Sequence, residues 1–396
     1  MSDEAKRQGR RAVREHRPPP VAVIGLEAEF SLFVDEVHRK PEHVFRTPQR
    51  LVRQEMLPRT GRSFQLPAGG AIYFDTGVIE VATPIVELEA GCCFRATRSL
   101  WEQIRYLRDE LDHWSVQRDC TTRLQGFSTH YNLSFRAAHS GTAYQLGYLL
   151  AHLLPVPLML LAANRKSTAI GVRPRGNRIE ITADFTPDAA LMLATCAFVA
   201  GAVETVREWP SYDPGELVKR GIPQLTRFRL RKHSSRKGWR VLAGSLARDP
   251  FSCDTNAAQW KLRDGRTLSL REIATETLPP FRAEIRRLSD RETLRHIEEV
   301  FAGDARSLLD FPERPKAYDD AGRVFDWGRR RRRHWPRSAY EKVVHRVITR
   351  EAVRYAGKRY RIERMQGWYE IVCRETKSGQ RRVFTLDELA KSAAKR

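Results

Sequence analysis

Apolar and polar positions alternate most sharply in Val21–Val34, read Val-Ala-Val-Ile-Gly-Leu-Glu-Ala-Glu-Phe-Ser-Leu-Phe-Val, directly after Pro18, Pro19 and Pro20. β-branched and aromatic residues in that order predict a strand. Successive strand side chains face opposite ways, so Glu27 and Glu29 share one face while Leu26, Ala28 and Phe30 share the other. A period of two returns in Ala71–Asp75 and Val78–Thr83, joined by Thr76-Gly77 as a hairpin or two successive strands. It returns again in Thr121–Phe135, and in two short strands within Ala169–Asp184 around Pro174-Arg-Gly-Asn177. Phe94–Arg118 follows the helical period instead, with Leu100, Ile104, Leu107, Leu111 and Trp114 three or four residues apart.

Thr142–Asn164 predicts a buried helix broken at Pro155 and Pro157, and Thr186-Pro187-Asp188 opens a helix running to about Trp209. His38–Gly61 is patternless and predicts a loop with one short helix. Beyond Pro210–Pro214 the chain is richer in Arg. Helices are expected at Leu268–Thr277 and Pro280–Phe301, then a three-stranded meander, Lys358–Arg364, Trp368–Arg374 and Arg381–Thr385, closed by a helix at Leu386–Lys395. Strand pairs alternating with long helices give an α+β fold, an antiparallel or mixed sheet with helices on one side. Three segments follow: a disordered basic lead-in over 1–20, a main domain over 21–310, and a basic C-terminal region over 311–396 holding the meander.

Composition narrows the class. The 396 residues carry 70 Lys+Arg against 48 Asp+Glu, a formal charge of +22, so acidic partners are expected: nucleotides, nucleic acid, an acidic protein or anionic lipid. The Arg329–Arg333 run, flanked by Trp327 and Trp335, has the make-up of a phosphate-tracking surface or of an ordinary solvated loop. Six scattered cysteines without a CxxC pair argue against a zinc site or a disulfide framework and fit a reducing cytoplasm. No secretory pattern opens the chain. Leu146–Ala163 and Ala189–Val203 approach membrane length, but His152, Pro155 and Pro157 and the flanking polar motifs make buried helices the expectation, with no membrane.

Two carboxylates side by side in an apolar strand repel and resist desolvation unless a cation or proton lies between them. Glu27 and Glu29 therefore read either as a wet acidic face or as hard oxygen ligands for Mg²⁺ or Mn²⁺. Three further strand clusters carry ligand-type residues: Tyr73–Glu80, Gly126–Asn132 with His130 and Asn132 on one face, and Asn177–Glu180 with Arg178 and Glu180 on one face.

These clusters resemble the glutamine synthetase superfamily of carboxylate–amine ligases, in its glutamate–cysteine ligase and Pup ligase/depupylase branches. Gly25-Leu-Glu-Ala-Glu-Phe30 is similar to the Gly-[Ile/Leu]-Glu-x-Glu-[Phe/Tyr] signature. Gly69–Asp75 through Glu80-Val-Ala-Thr-Pro84 resembles the Pup ligase pattern, Gly126–Asn132 the Gly-x-His-x-Asn element, and Asn177–Glu180 the synthetase Arg-[Ile/Val]-Glu strand. The resemblance spans about residues 21–205. The chain departs from it where no glutamate follows Thr83-Pro84, leaving Glu87 as an open replacement, and where Thr182 stands in place of an arginine.

The resemblance implies a glutamine-synthetase-like curved sheet and an ATP- and Mg²⁺-dependent ligase forming an amide or isopeptide bond through an acyl-phosphate. Glu27, Glu29, Glu80, His130 and Glu180 are the implied metal ligands. Arg173 and Arg178, with Asn132 and Lys166, are the implied nucleotide contacts, and Asp75 the implied base; the other reading of Asp75 is a turn cap for Thr76-Gly77. Substrates would be a carboxylate and an amine, with an acidic peptide or protein or a tRNA-borne group among the candidates. Depupylase-like hydrolysis on the same fold, and a non-catalytic nucleic-acid-binding protein, are the competing expectations.

Overall fold

The structure, a computed structural model, describes residues 19–136, 140–233, 238–323, 336–349 and 352–394. The basic lead-in therefore lies almost wholly outside the described residues, as does the Arg329–Arg333 run with Trp327 and Trp335.

Twelve strands of one sheet carry the molecule: β1 (Val23–Val34), β2 (Val37–Arg39), β3 (Leu57–Pro58), β4 (Phe64–Gln65), β5 (Ala71–Asp75), β6 (Val78–Ala82), β7 (Val86–Glu87), β8 (Thr122–Ser134), β9 (Ile170–Pro174), β10 (Arg178–Asp184), β11 (Arg231–Lys232) and β12 (Trp239–Val241). Their order is β11-β12-β9-β10-β8-β1-β6-β5-β4-β3, with β2 and β7 also on β1, and the named pairs are antiparallel. Strand β1 sits at the centre for the reason its pattern gives. Ile24, Leu26, Ala28, Phe30 and Leu32 are fully buried on one face, leaving Glu27, Glu29 and Ser31 on the other.

The apolar face is covered by α1 (Cys92–Arg118), α2 (Ala143–Leu153), α3 (Pro155–Ala162) and α4 (Ala189–Arg207). Pro155 lacks an N–H and breaks the α2–α3 run, which bends by 63°. Helix α4 starts where the Asp188 carboxylate accepts the Leu191 N–H at 2.8 Å. It is the described helix long and apolar enough to cross a membrane, and it is buried inside the fold.

Three elements differ from the sequence pattern. Pro280–Phe301 is not one helix: it divides into Arg282–Leu288 and Arg291–Ala302, because Asp290 leaves the helical path to cap Thr293 (2.7 Å). The meander has four strands, Val353–Tyr355, Lys358–Gln366, Glu370–Glu375 and Arg381–Thr385, and is backed by a helix at Ala339–Ile348. A Ser338–Glu341 capping box starts that helix. This unit has its own core around Tyr340, Val347, Ile371 and Phe384, whereas Leu308, Leu309, Tyr318 and Ala321 belong to the main core. The second unit thus begins near Ser338. It is fastened to the sheet by the Tyr340 N–H, which donates to Glu87 at 3.0 Å, and by the buried Arg59, whose guanidinium stacks on Trp368 at 3.8 Å.

Candidate active site

Register places the polar residues in rows across the sheet. Glu27 lies opposite His130 on β8, and His130 opposite Thr182 on β10. Glu29 lies opposite Ser128 on one side and Glu80 on the other, and Glu80 opposite Tyr73. Asn132 lies opposite Glu180, and Glu180 opposite Arg173. The register between β1 and β8 slips at Glu29/Phe30, so that Phe127 is an extra residue. Sheets count in twos, and this bulge is what turns Ser128, His130 and Asn132, rather than their neighbours, to the face of Glu27. Gly126 lets the bulge form, since a Cβ there would run into the buried Phe185 ring.

These rows floor a cavity of about 580 Å³. Within it Glu27, Glu80 and His130 each offer a ligand atom, all within 4.8 Å of one another. His130 lies 3.5 Å from Glu27 through Nδ1 and 3.8 Å from Glu29 through Nε2. Asn132 donates to Glu27 at 3.1 Å, Ser128 to Glu29 at 2.5 Å, and the Tyr73 hydroxyl to Glu80. Burial opposes the ionised Glu27, but the His130 bond and charge, with Arg178, outweigh it and hold its pKa below the ordinary value. Glu80 goes the other way: burial, then the charge of Glu27, pushes it up to about 9. Two carboxylates and an imidazole converging with an excess of negative charge are a donor set suited to a hard divalent cation, so the residues fit Mg²⁺ or Mn²⁺.

Glu180 is placed differently. Arg173 pairs with it directly, Arg175 at 2.9 Å, and Arg178 approaches to 3.9 Å while donating to Asn132 at 2.8 Å. Glu180 therefore stands among arginines, outside the three-residue cluster, and aims Arg173 and Arg175 into the cavity. Glu29 flanks the cluster with one oxygen taken by Ser128. Burial and the nearby Arg173 and Arg240 hold His233, also on the cavity wall, at about 4 and hence neutral. Asp75 is exposed at the rim, its Oδ1 accepting the Thr76 hydroxyl at 2.7 Å, and Lys166 is an exposed residue of the same cavity's lining. Glu87 is not on the cavity wall; its carboxylate holds the C-terminal unit.

Sequence reasoning missed several wall residues. Asp184 accepts from Asn164 (2.9 Å) and Ser167 (3.2 Å), and burial pushes it up to about 6. Arg175 and Arg240 belong to the arginine group, and Arg314 reaches the Gly126 carbonyl from far along the chain. For Arg240 and Arg314 no local pattern signalled the position. A second recess of about 250 Å³ shares Glu27 and Arg178 with the cavity and is closed by Val23, Ile85, Trp368 and Tyr369.

No protein-family model matches the chain, and no curated protein matches it in sequence. Among solved structures it matches PafA in the crystal structure of the complex between prokaryotic ubiquitin-like protein Pup and its ligase PafA. The TM-score is 0.52 and the identity 12%, over 94% of this chain and 92% of that one. The chain has a PafA-like fold. At this identity it is the glutamine-synthetase-like architecture that is shared, and with it the mixed α+β layout expected from the strand and helix patterns.

Proposed function

We propose that the chain is an ATP- and Mg²⁺-dependent carboxylate–amine ligase that makes an amide or isopeptide bond through an acyl-phosphate. One observation carries this reading: Glu27, Glu80 and His130 converge within 4.8 Å beside an arginine group, in one cavity, on a ligase-type fold. The crystallised PafA is the ligase of the prokaryotic ubiquitin-like protein Pup, which favours a protein or peptide as one substrate here.

Carboxylates and ammonium ions do not condense unaided. Transfer of the γ-phosphoryl group to the carboxylate oxygen, with ADP leaving, makes the acyl carbon electrophilic; the amine then attacks and phosphate departs. A divalent ion held by Glu27, Glu80 and His130 would neutralise charge on the phosphates. Arg173 and Arg175, oriented by Glu180, and Arg178, oriented by Asn132, present planar donors to phosphate oxygens. The apolar recess beside Trp368 and Tyr369 suits the nucleobase, because it meets the cavity at Glu27 and Arg178. Asp75 at the rim takes the proton from the attacking amine.

The test is ADP release across a panel of amino acids and acidic peptides, with hydroxylamine trapping the acyl-phosphate as a hydroxamate. Asp75→Asn should abolish ligation and keep nucleotide binding, and Glu27→Ala should lose metal-dependent ATP binding. Normal turnover in either variant refutes the assignment. Amide cleavage without stoichiometric ADP would move the reading to depupylase-like hydrolysis.

A further inference from the structure

Strand β11 is the outer edge of the sheet. The chain reaches it through Arg227-Phe-Arg-Leu-Arg-Lys232, in which Arg227, Arg229 and Arg231 are exposed while Phe228 and Leu230 are half-buried against the main core. One side of this run is paired: the Arg229 N–H donates to Ser245 at 2.8 Å, Arg231 lies opposite Arg240, and the His233 N–H donates to Gly238 at 3.0 Å. Alternate residues of a strand send their backbone groups to opposite sides. Phe228 is bridged to Leu246 and Lys232 lies opposite Trp239. The flanking Arg229 and His233 bonds make these the pairs that exchange no backbone bonds of their own. The N–H and C=O of Phe228, Leu230 and Lys232 therefore face outward, where among the described residues no further strand adds to the edge.

The arginines along this edge are also uncommitted. Among the described residues, Arg227, Arg229, Arg231 and Lys232 make no ion pair, and neither does Arg240. Arg231 opens a register row that runs through Arg240, Gly171, Thr182 and His130 to Glu27. Gly171 has no side chain to block that row, and Arg240 lines the cavity. The basic edge thus leads from the surface to the candidate active site.

We propose that an acidic, extended segment of a partner protein adds to this edge as a further strand, with carboxylates at alternate positions on Arg227, Arg229 and Arg231. Alternate residues of such a peptide repeat at about 6.6 Å, so that every second side chain can meet an arginine at every second position of the edge. A second copy of this chain would set arginine against arginine, which destabilises a strand pair, so the edge rejects itself while accepting an acidic strand. Nucleic acid would meet the charge but leave the row of backbone donors and acceptors unmatched. The proposal deepens the ligase reading and rests on it only for the destination of the bound segment.

The experiment uses the full chain without nucleotide and a fluorescein-labelled peptide of alternating Glu and Val, read by anisotropy at low and high salt. Two comparators share its charge: a twin N-methylated at the peptide bonds that would face the edge, and a single-stranded oligouridylate. The parent peptide should bind, the N-methylated twin about tenfold more weakly, and Arg227→Glu/Arg229→Glu/Arg231→Glu should lose at least as much. Equal binding of the N-methylated twin, tighter binding of the oligouridylate, or wild-type binding by the triple variant would each overturn the proposal. The twin tests backbone pairing with no change to the protein, so misfolding cannot explain that result. Because no ATP is present, failure here leaves the ligation test untouched, and failure of ligation leaves this measurement standing.

Discussion

Gly126→Ala tests whether the bulge in β8 is held by close packing. The new Cβ would lie 2.9 Å from Cγ and 3.1 Å from Cβ of Phe185, with Cδ1 nearer still, where carbon atoms prefer about 3.5–4.0 Å. Phe185 is fully buried, in edge contact with Phe30 (5.1 Å) and Tyr318 (6.3 Å), so its ring has nowhere to swing. Overpacking of this kind costs about 1–3 kcal/mol. Phe185→Ala alone should cost about 3–5 kcal/mol through lost contacts and the cavity it leaves, yet it removes the Cγ and Cδ1 atoms that the added methyl group would strike. The double variant should therefore be no less stable than Phe185→Ala, giving a favourable coupling of about 1–2 kcal/mol in a double-mutant cycle. Urea unfolding with an unchanged m-value is the assay. If Gly126→Ala matches wild type, or if the two costs simply add, the packing argument is wrong.

Two further outcomes follow from the site. Burial raises Asp184 from 3.8 to about 6 in the folded state, so its contribution to stability is intact below pH 3.8 and is lost as pH rises through 6. The difference in unfolding free energy between wild type and Asp184→Asn should move toward the variant by about 3 kcal/mol from pH 4 to pH 7; a pH-independent difference contradicts this. Thr76 has φ +51° and Gly77 φ +99°, the signs a two-residue hairpin turn needs but a β-branched residue resists. Thr76→Asn should add about 1 kcal/mol of stability. It should also slow the proposed ligation, because the hydroxyl bonded to Asp75 is gone; a loss of stability would show that the turn is not strained.

The elements with the strongest periodicity were legible in the chain. Val21–Val34 alternates because one face of β1 meets helices and the other meets the cavity, and the four polar clusters lie together because alternation left each with one free face. Distant pairing was not legible. Arg240 and Arg314 reach the cavity from segments whose short extended or irregular runs carry little period, and only tertiary contact aligns them. Glu180 shows the same limit: its face follows from parity, but its commitment to Arg173 and Arg175 depends on a neighbouring strand. The split at Asp290 and the helix that starts at Ser338 came from capping chemistry, which a search for apolar period passes over.

The register rows carry a consequence for how this molecule matures. Residues 27, 80, 130 and 180 meet only after strands separated by about fifty to a hundred positions have paired, and the recess is closed by Trp368 later still. Helices α1 and α4 are local and can form early, whereas closing these long loops is slow. A refolding chain would thus show most of its helical signal while the cavity is still unassembled, and the site would be completed by the final strand pairings.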